Sequence, residues 1–387
     1  MKHSVFHWCL LLILVQFGGA FAGHHAAAAE ATPVLPDFYA PAFRPTGFKE
    51  FRAPLSEEVQ FDLWRHQNPN SCDGKQFAVL QPHQGGIGSL VHVAGAGLGW
   101  AWNNNRIMLF SADFGANLAH GSICGHDKSL ACFFEPLSNC SAHANPHNTV
   151  LVNGVSQQND MPKHWEQRYE DTTRNVAGAP FRYWWRGQSS AYIMRLNAKT
   201  SALLQEQRLK RATAGVLPLP LPDNAVSIHV RHGDKAKEMK LHSWSEHEQE
   251  ADRVAAVNGF AERFVFLSTE DPAVVKEVAA PSERWHVVAL EHQRSNEDYR
   301  HQISEGDELF LFSLENLFDA IEAWYFVGTR GSNWNRLIDE LRAIWPAHPV
   351  GCCSTYAEVG CKPAPGKEWC DMTANLQGDW RRTRALK

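Results

Sequence analysis

Apolar and polar positions along this chain alternate with two different periods, and the alternation predicts most of its elements. In the second half, short β-branched or aromatic runs recur at Val226–Val230, Phe264–Ser268, His286–Leu290 and Tyr325–Gly328, each bounded by turn-forming residues. Between and after them lie stretches with helical spacing near Glu246–Asn258, Ala273–Ala279, Leu309–Trp324 and Asn335–Ile344. Strands separated by helices imply βαβ units and a parallel sheet. The first half is sparser, with strands at Phe77–Gln81 and Ile107–Ser111 and a helix at Leu90–Trp102. One further helix is predicted from Tyr183 to Leu204, where Tyr192, Ile193, Leu196, Leu203 and Leu204 fall near helical spacing. From Cys124 to Trp165 the pattern is irregular. The proline-rich stretch Gly215–Pro222 separates the two halves.

The expected organisation is therefore a signal peptide or signal anchor at 1–22 and an Ala/Pro-rich stem at 23–58. An N-terminal α/β domain at 59–214, a C-terminal Rossmann-like domain at 215–350 and a cysteine-rich tail at 351–387 follow. The first segment joins Met1-Lys2-His3 to an apolar run from Val5 to Val15 and to Ala20-Phe21-Ala22, the three parts of a secretory signal. Read through Ala22, the run approaches a membrane span, so an uncleaved type II anchor is the alternative. Both readings place the rest of the chain in the lumen of the secretory pathway.

Composition narrows the picture. The 387 residues are long enough for two domains, and 44% hydrophobic against 20% charged residues describes a folded chain. A net charge of −5 argues against a general nucleic-acid binder. Beyond Cys9 in the signal stand Cys72, Cys124, Cys132, Cys140, Cys352, Cys353, Cys361 and Cys370, an even set that implies disulfides in an oxidising compartment. No C-x-x-C pair is present, and the histidines carry no metal-like spacing, so no metal is expected.

Charged residues concentrate where strands end. His229-Val-Arg231-His-Gly-Asp234-Lys235 closes the first strand of the second half. Ligands of open α/β sheets bind at carboxyl ends of strands, where Arg231 would meet an anion with a rigid fork of donors and Lys235 with a point charge. A diphosphate suits that pair; a solvated surface turn is the bland alternative. Ser332 and Asn333, in Gly328-Thr-Arg-Gly-Ser-Asn-Trp334, open a helix whose free amides attract phosphate, or simply cap it. Thr269 and Asp271 end the second strand and serve either as ligands for sugar or base hydroxyls or as helix caps. Gly86 and Gly88, in His83-Gln-Gly-Gly-Ile-Gly-Ser89, allow backbone to approach a ligand. Gly95, Gly97 and Gly99 match no dinucleotide fingerprint and suggest close packing of a helix. No D-x-D occurs, so a cation held by paired aspartates beside a nucleotide diphosphate is not expected.

Together these segments resemble the α1,6-fucosyltransferase superfamily, which includes core N-glycan and bacterial chitooligosaccharide fucosyltransferases and, more distantly, protein O-fucosyltransferases. His229–Lys235 looks like its H-V-R-[RH]-x-D-K segment, and Asn68–Cys72 and Phe134–Cys140 look like its two cysteine-bearing segments. Gly86–His92 and Trp184-Trp185-Arg-Gly-Gln188 through Arg195 match its glycine turn and its W-W-x-x-Q…Y-[LI]-x-R helix. The resemblance implies an α/β, GT-B-like fold of two Rossmann-like domains with a cleft between them, stapled by a Cys72–Cys140 disulfide. It implies inverting, metal-independent transfer of fucose from GDP-fucose, a donor substrate rather than a cofactor, to a glycan hydroxyl in the Golgi or ER lumen. Under it His229 contacts the guanine side, Arg231 the diphosphate, and Ser332 and Asn333 phosphate or fucose, while Arg231 and Lys235 would stabilise the charge growing on departing GDP. Glu238 is the base, reached with a one-residue gap, and Asp234 is the runner-up. The family's guanine-binding aspartate aligns with Asn316, so base recognition would rest on Asn316 or on Glu315. Competing expectations are a catalytically silent glycan- or GDP-sugar-binding protein and the same fold using another GDP-sugar.

Overall fold

The structure, a computed structural model, describes residues 53–157, 159–173, 180–279, 284–292, 294, 306–344 and 356–360. The expected signal or anchor, most of the stem, and Cys352, Cys353, Cys361 and Cys370 lie outside these residues. Among the described residues, no helix is long and apolar enough to cross a membrane.

The first sheet has three parallel strands, β1 (Phe77–Leu80), β2 (Ile107–Phe110) and β3 (Thr149–Val152), in the order β2-β1-β3. β3 lies in the stretch with no clean period; it is a half-exposed edge strand, so burial imposes no alternation on its side chains. Around the sheet come α1 (Ser56–Gln67), α2 (Ile87–Asn103), α3 (Lys163–Thr173), α4 (Phe181–Ile193) and α5 (Ala198–Thr213). Two helices thus replace the single one expected from Tyr183 to Leu204. The chain breaks at Asn197, whose side chain accepts the Thr200 amide at 2.9 Å and caps α5. In α2 the glycines do bring neighbours close. A Cβ at Gly97 would lie 2.9 Å from Leu80, and one at Gly99 would meet the Asp160 carbonyl and the Trp185 ring.

The faces of this sheet differ. Ala78, Leu80, Met108 and Val152 join the large core formed with α2 and α4. Phe77, Ile107 and Leu109 face a small cluster with Cys140, which is bonded to Cys72 as the resemblance implied. A second disulfide joins Cys124 to Cys132.

The second sheet has five parallel strands, β4 (Ala225–Val230), β5 (Phe264–Thr269), β6 (His286–Ala289), β7 (Tyr325–Gly328) and β8 (Tyr356–Glu358), in the order β6-β5-β4-β7-β8. β8 lies in the expected cysteine-rich tail and was not anticipated. Its helices are α6 (Trp244–Asn258), α7 (Pro272–Val278), α8 (Gly306–Glu322) and α9 (Asn333–Arg342). Alternate side chains serve opposite faces: Val226, Ile228 and Val230 pack with Trp244, Ala251 and Val254, whereas Phe264, Phe266 and Phe326 pack with Leu314, Leu317 and Leu337. Each such buried side chain contributes roughly 1.5–3 kcal/mol. The strand order reverses between β4 and β7, and ligands of open α/β sheets bind at such a reversal.

Candidate functional site

β4 is buried along its whole length and delivers Arg231 and His232 to its carboxyl end. Gly233 then takes φ 58°, a left-handed conformation that favours glycine, and turns the chain into a short 3-10 segment, Gly233–Lys237. Arg231 is held from two sides. One guanidinium nitrogen donates to Glu270 at 2.6 Å and the other to Asp234 at 2.5 Å. Glu270, just past β5, also accepts the His232 amide at 2.7 Å. Lys235 donates to Glu238 at 2.5 Å, and the Glu238 side chain is 57% exposed. The Arg231 guanidinium is therefore oriented by carboxylates on two sides.

His229 lies one step inside the sheet. Its ring is buried beside Trp334, 6.4 Å between centroids, and its Nδ1 has no hydrogen-bond partner among the described residues. Burial, reinforced by the Arg231 charge, pushes its pKa down to about 3, so the imidazole is neutral. A neutral ring with an unpartnered nitrogen at a strand end can donate to or accept from a ligand's polar edge.

Across the reversal, β7 ends at Gly328 and α9 begins at Asn333. Ser332 occupies the N-cap position, but its side chain makes no capping hydrogen bond; Gly86, the N-cap of α2, has no side chain to offer. Both helix starts therefore keep amides and positive dipole ends available. They also meet: a Cβ at Gly88 would lie 2.7 Å from the Asn333 carbonyl group and 2.9 Å from the Trp334 nitrogen. Only glycine lets the first sheet's helix reach the second sheet's.

A buried network locks that junction. His92, one turn along α2 from Gly88, bonds Glu340 of α9 at 2.7 Å and the Asn333 side-chain oxygen at 3.3 Å. Arg336 donates to the same Asn333 oxygen and, at 2.8 Å, to the Arg330 carbonyl, while Arg186 of α4 lies 3.9 Å from Glu340. Burial opposes the Glu340 charge, yet His92 and the two arginines outweigh it and lower its pKa. Sequence reasoning singled out the Gly86–His92 segment but missed Glu340, Arg336 and Arg186. The four-residue spacing of Gly88 and His92 on one helix face was the available signal.

Other expected residues have clear places. Asp271 caps α7, accepting the Ala273 amide at 2.8 Å, and also holds His232 at 2.6 Å. This is the capping alternative; the described contacts do not turn Asp271 toward a ligand. Asn316 donates to the Phe312 carbonyl of its own helix at 2.9 Å, and Glu315 accepts Arg211 of α5 at 2.5 and 3.0 Å. Their described contacts thus tie both to the packing of α8. Asp234 is committed to Arg231. No group of three or more His, Cys, Asp or Glu side chains among the described residues could hold a metal.

No protein-family model matches the chain, and no curated protein matches it. Solved structures of fucosyltransferases do align with it. NodZ α1,6-fucosyltransferase soaked with GDP-fucose is 13% identical, covers 69% of this chain and 93% of its own, and gives a TM-score of 0.39. A point mutant of Arabidopsis thaliana FUT1 in complex with GDP is 9% identical, with coverages of 79% of this chain and 85% of its own and a TM-score of 0.43. POFUT1 in complex with GDP-fucose is 11% identical, with coverages of 75% and 99% and a TM-score of 0.34. At these TM-scores the likeness is too coarse to fix a substrate.

Proposed function

We propose that the chain is a glycosyltransferase of the fucosyltransferase superfamily, moving fucose from GDP-fucose to a glycan hydroxyl with inversion and without a bound cation. One observation carries this reading. At the reversal of the second sheet, Arg231 and His229, whose Nδ1 has no partner among the described residues, stand at the end of β4, and the uncapped starts of α9 and α2 meet beside β7. Guanidinium donors plus two positive helix ends suit a diphosphate, and a buried neutral imidazole suits a base edge. The ordered motifs from Asn68 to Trp345 support the fucosyl donor.

In this reading the acceptor hydroxyl loses its proton to Glu238 as its oxygen attacks the anomeric carbon from the face opposite GDP. The bond to the phosphate oxygen breaks, and Arg231, Lys235 and the helix-end amides stabilise the charge that appears on GDP. Glu238 is exposed enough to meet an acceptor, and its ion pair with Lys235 keeps it beside the donor site. A general base of this kind contributes about 10²–10⁴-fold. Two disulfides among the described residues agree with a lumenal location.

A silent GDP-sugar-binding protein is the second reading, favoured by the two carboxylates already engaged with Arg231. Incubation of the purified chain with GDP-fucose, GDP-mannose and a panel of glycan acceptors, with and without chelator, separates the readings. Chelator-insensitive transfer from GDP-fucose supports the enzyme. Saturable GDP binding with no release of GDP from either donor supports the silent protein, and transfer from GDP-mannose alone reassigns the donor.

A further inference from the structure

We infer that His232 is a positively charged positioning residue, an imidazolium that clamps the Arg231–Lys237 loop and sets an upper pH limit on anion binding there. The geometry carries the first part by itself. Both ring nitrogens face acceptors: Nδ1 stands 2.6 Å from an Asp271 carboxylate oxygen and Nε2 stands 2.8 Å from the His242 carbonyl. A neutral imidazole carries one N–H and satisfies only one of them; the cation satisfies both. The ring thereby ties the end of β4 to the capped start of α7 and to the segment that leads into α6. Its own amide is bound by Glu270, the same carboxylate that aligns Arg231.

The surroundings agree. The charged and titratable groups around the ring are Asp271 and Glu270 from the end of β5, His242 and His247 from the α6 side, and Arg231 and His229 from β4. Burial opposes the charge on His232, but the Asp271 bond, the His242 carbonyl and the charges of Asp271 and Glu270 outweigh it and raise its pKa above the ordinary value. His229 and His247 are buried, with pKa values pushed down to about 3 and about 4, so neither competes as a cation near neutrality. A raised histidine pKa stabilises the folded loop fully below the ordinary value and loses that contribution as pH rises through the raised one. Above it one clamp bond breaks, and Glu270 and Asp271 face one cation fewer.

The link to anion binding rests on the functional reading above, so the test has two independent readouts. In full-length chain labelled at histidine nitrogens, the His232 signals, assigned by their loss in His232→Gln, are expected to show both nitrogens protonated at about pH 6.5, the ordinary histidine value. A neutral tautomer there overturns the clamp. GDP is the probe for the second readout. Wild-type affinity is expected to fall about fivefold, the worth of one hydrogen bond, as pH rises from the ordinary histidine value of about 6.5 through the raised one. His232→Arg, permanently charged, should hold its affinity across that range, and His232→Gln should bind weakly and without pH dependence. A flat wild-type profile overturns the pH limit. An imidazolium signal with no GDP binding at any pH leaves the clamp standing and sinks the donor-site reading instead.

Discussion

The five-stranded sheet is covered by helix-borne side chains on both faces, whereas the three-stranded sheet has them on one face and a disulfide-stapled loop on the other. The larger sheet excludes water with packing alone, so its strand ends are free to carry charge: Arg231, His232, Asp234 and Glu270 all stand there. The smaller sheet leans on Cys72–Cys140 and contributes one chemical feature, the start of α2 at Gly86–Gly88. The difference is a division of labour, in which the charged strand ends belong to the sheet that packs on both faces. The second layer supplies a helix end through glycines and a buried His92–Glu340 bond.

The largest expected effect tests the chemical half. Arg231→Ala removes the fork of donors and should lower transfer on the order of 10³-fold, read as kcat/KM, with little change in unfolding temperature. Activity near wild type would move the chemistry elsewhere.

The scaffold half is tested by Cys72→Ser with Cys140→Ser. The bond closes a loop with a sequence separation of 68, so its loss should cost about 4 kcal/mol in denaturant unfolding. A cost confined to a few tenths would mean that the small cluster around Phe77 suffices.

A smaller and sharper contrast lies within α2. Gly88→Ala drives a methyl into the Asn333 backbone and should cost about 1–3 kcal/mol and weaken GDP binding. A Cβ at Gly86 meets nothing within 4 Å, so Gly86→Ala should leave stability unchanged and report, through GDP affinity, how close a ligand comes.

A last contrast concerns the seam between α5 and α8. Arg208 donates to Asp319 and Glu322, and Arg211 to Glu315, so three carboxylates share two guanidinium groups. Burial, opposed by Arg208 and reinforced by Glu322 and Glu315, pushes the Asp319 pKa up to about 7. An acid with a raised folded pKa binds more protons folded than unfolded, so its contribution to stability falls as pH rises from about 4 to about 7. Asp319→Asn should flatten that slope relative to wild type in urea titrations across the interval; an unchanged slope would assign it to other groups.

Much of this contrast was legible in the sequence. β4, β5 and β7 are nearly unbroken apolar runs ending in charge, which only a strand buried on both faces requires. β3, Thr149-Val-Leu-Val152, is a short β-branched run bounded by asparagines, but it stands alone in an irregular, cysteine-bearing stretch with no second run beside it to mark a sheet. The break between α4 and α5 was written in Asn197 and Thr200, but the apolar spacing on either side happens to continue across it. In the site, Arg231 and His229 declared themselves through their strand. Glu270 did not appear as the group that aims Arg231, because the two are 39 residues apart and meet only when β4 and β5 pair. His92 and Glu340, 248 apart, meet only when the two sheets' helices touch.

The central claim is that a nucleotide diphosphate is met by the Arg231 guanidinium and two helix ends, with no cation between. Calorimetric titration of GDP into the full chain, repeated in excess EDTA and with Arg231→Lys, tests it most directly. Binding that is unchanged by EDTA and lost in Arg231→Lys is the predicted result, since a point charge cannot replace the fork. Binding that disappears with EDTA, or survives intact in Arg231→Lys, would contradict it.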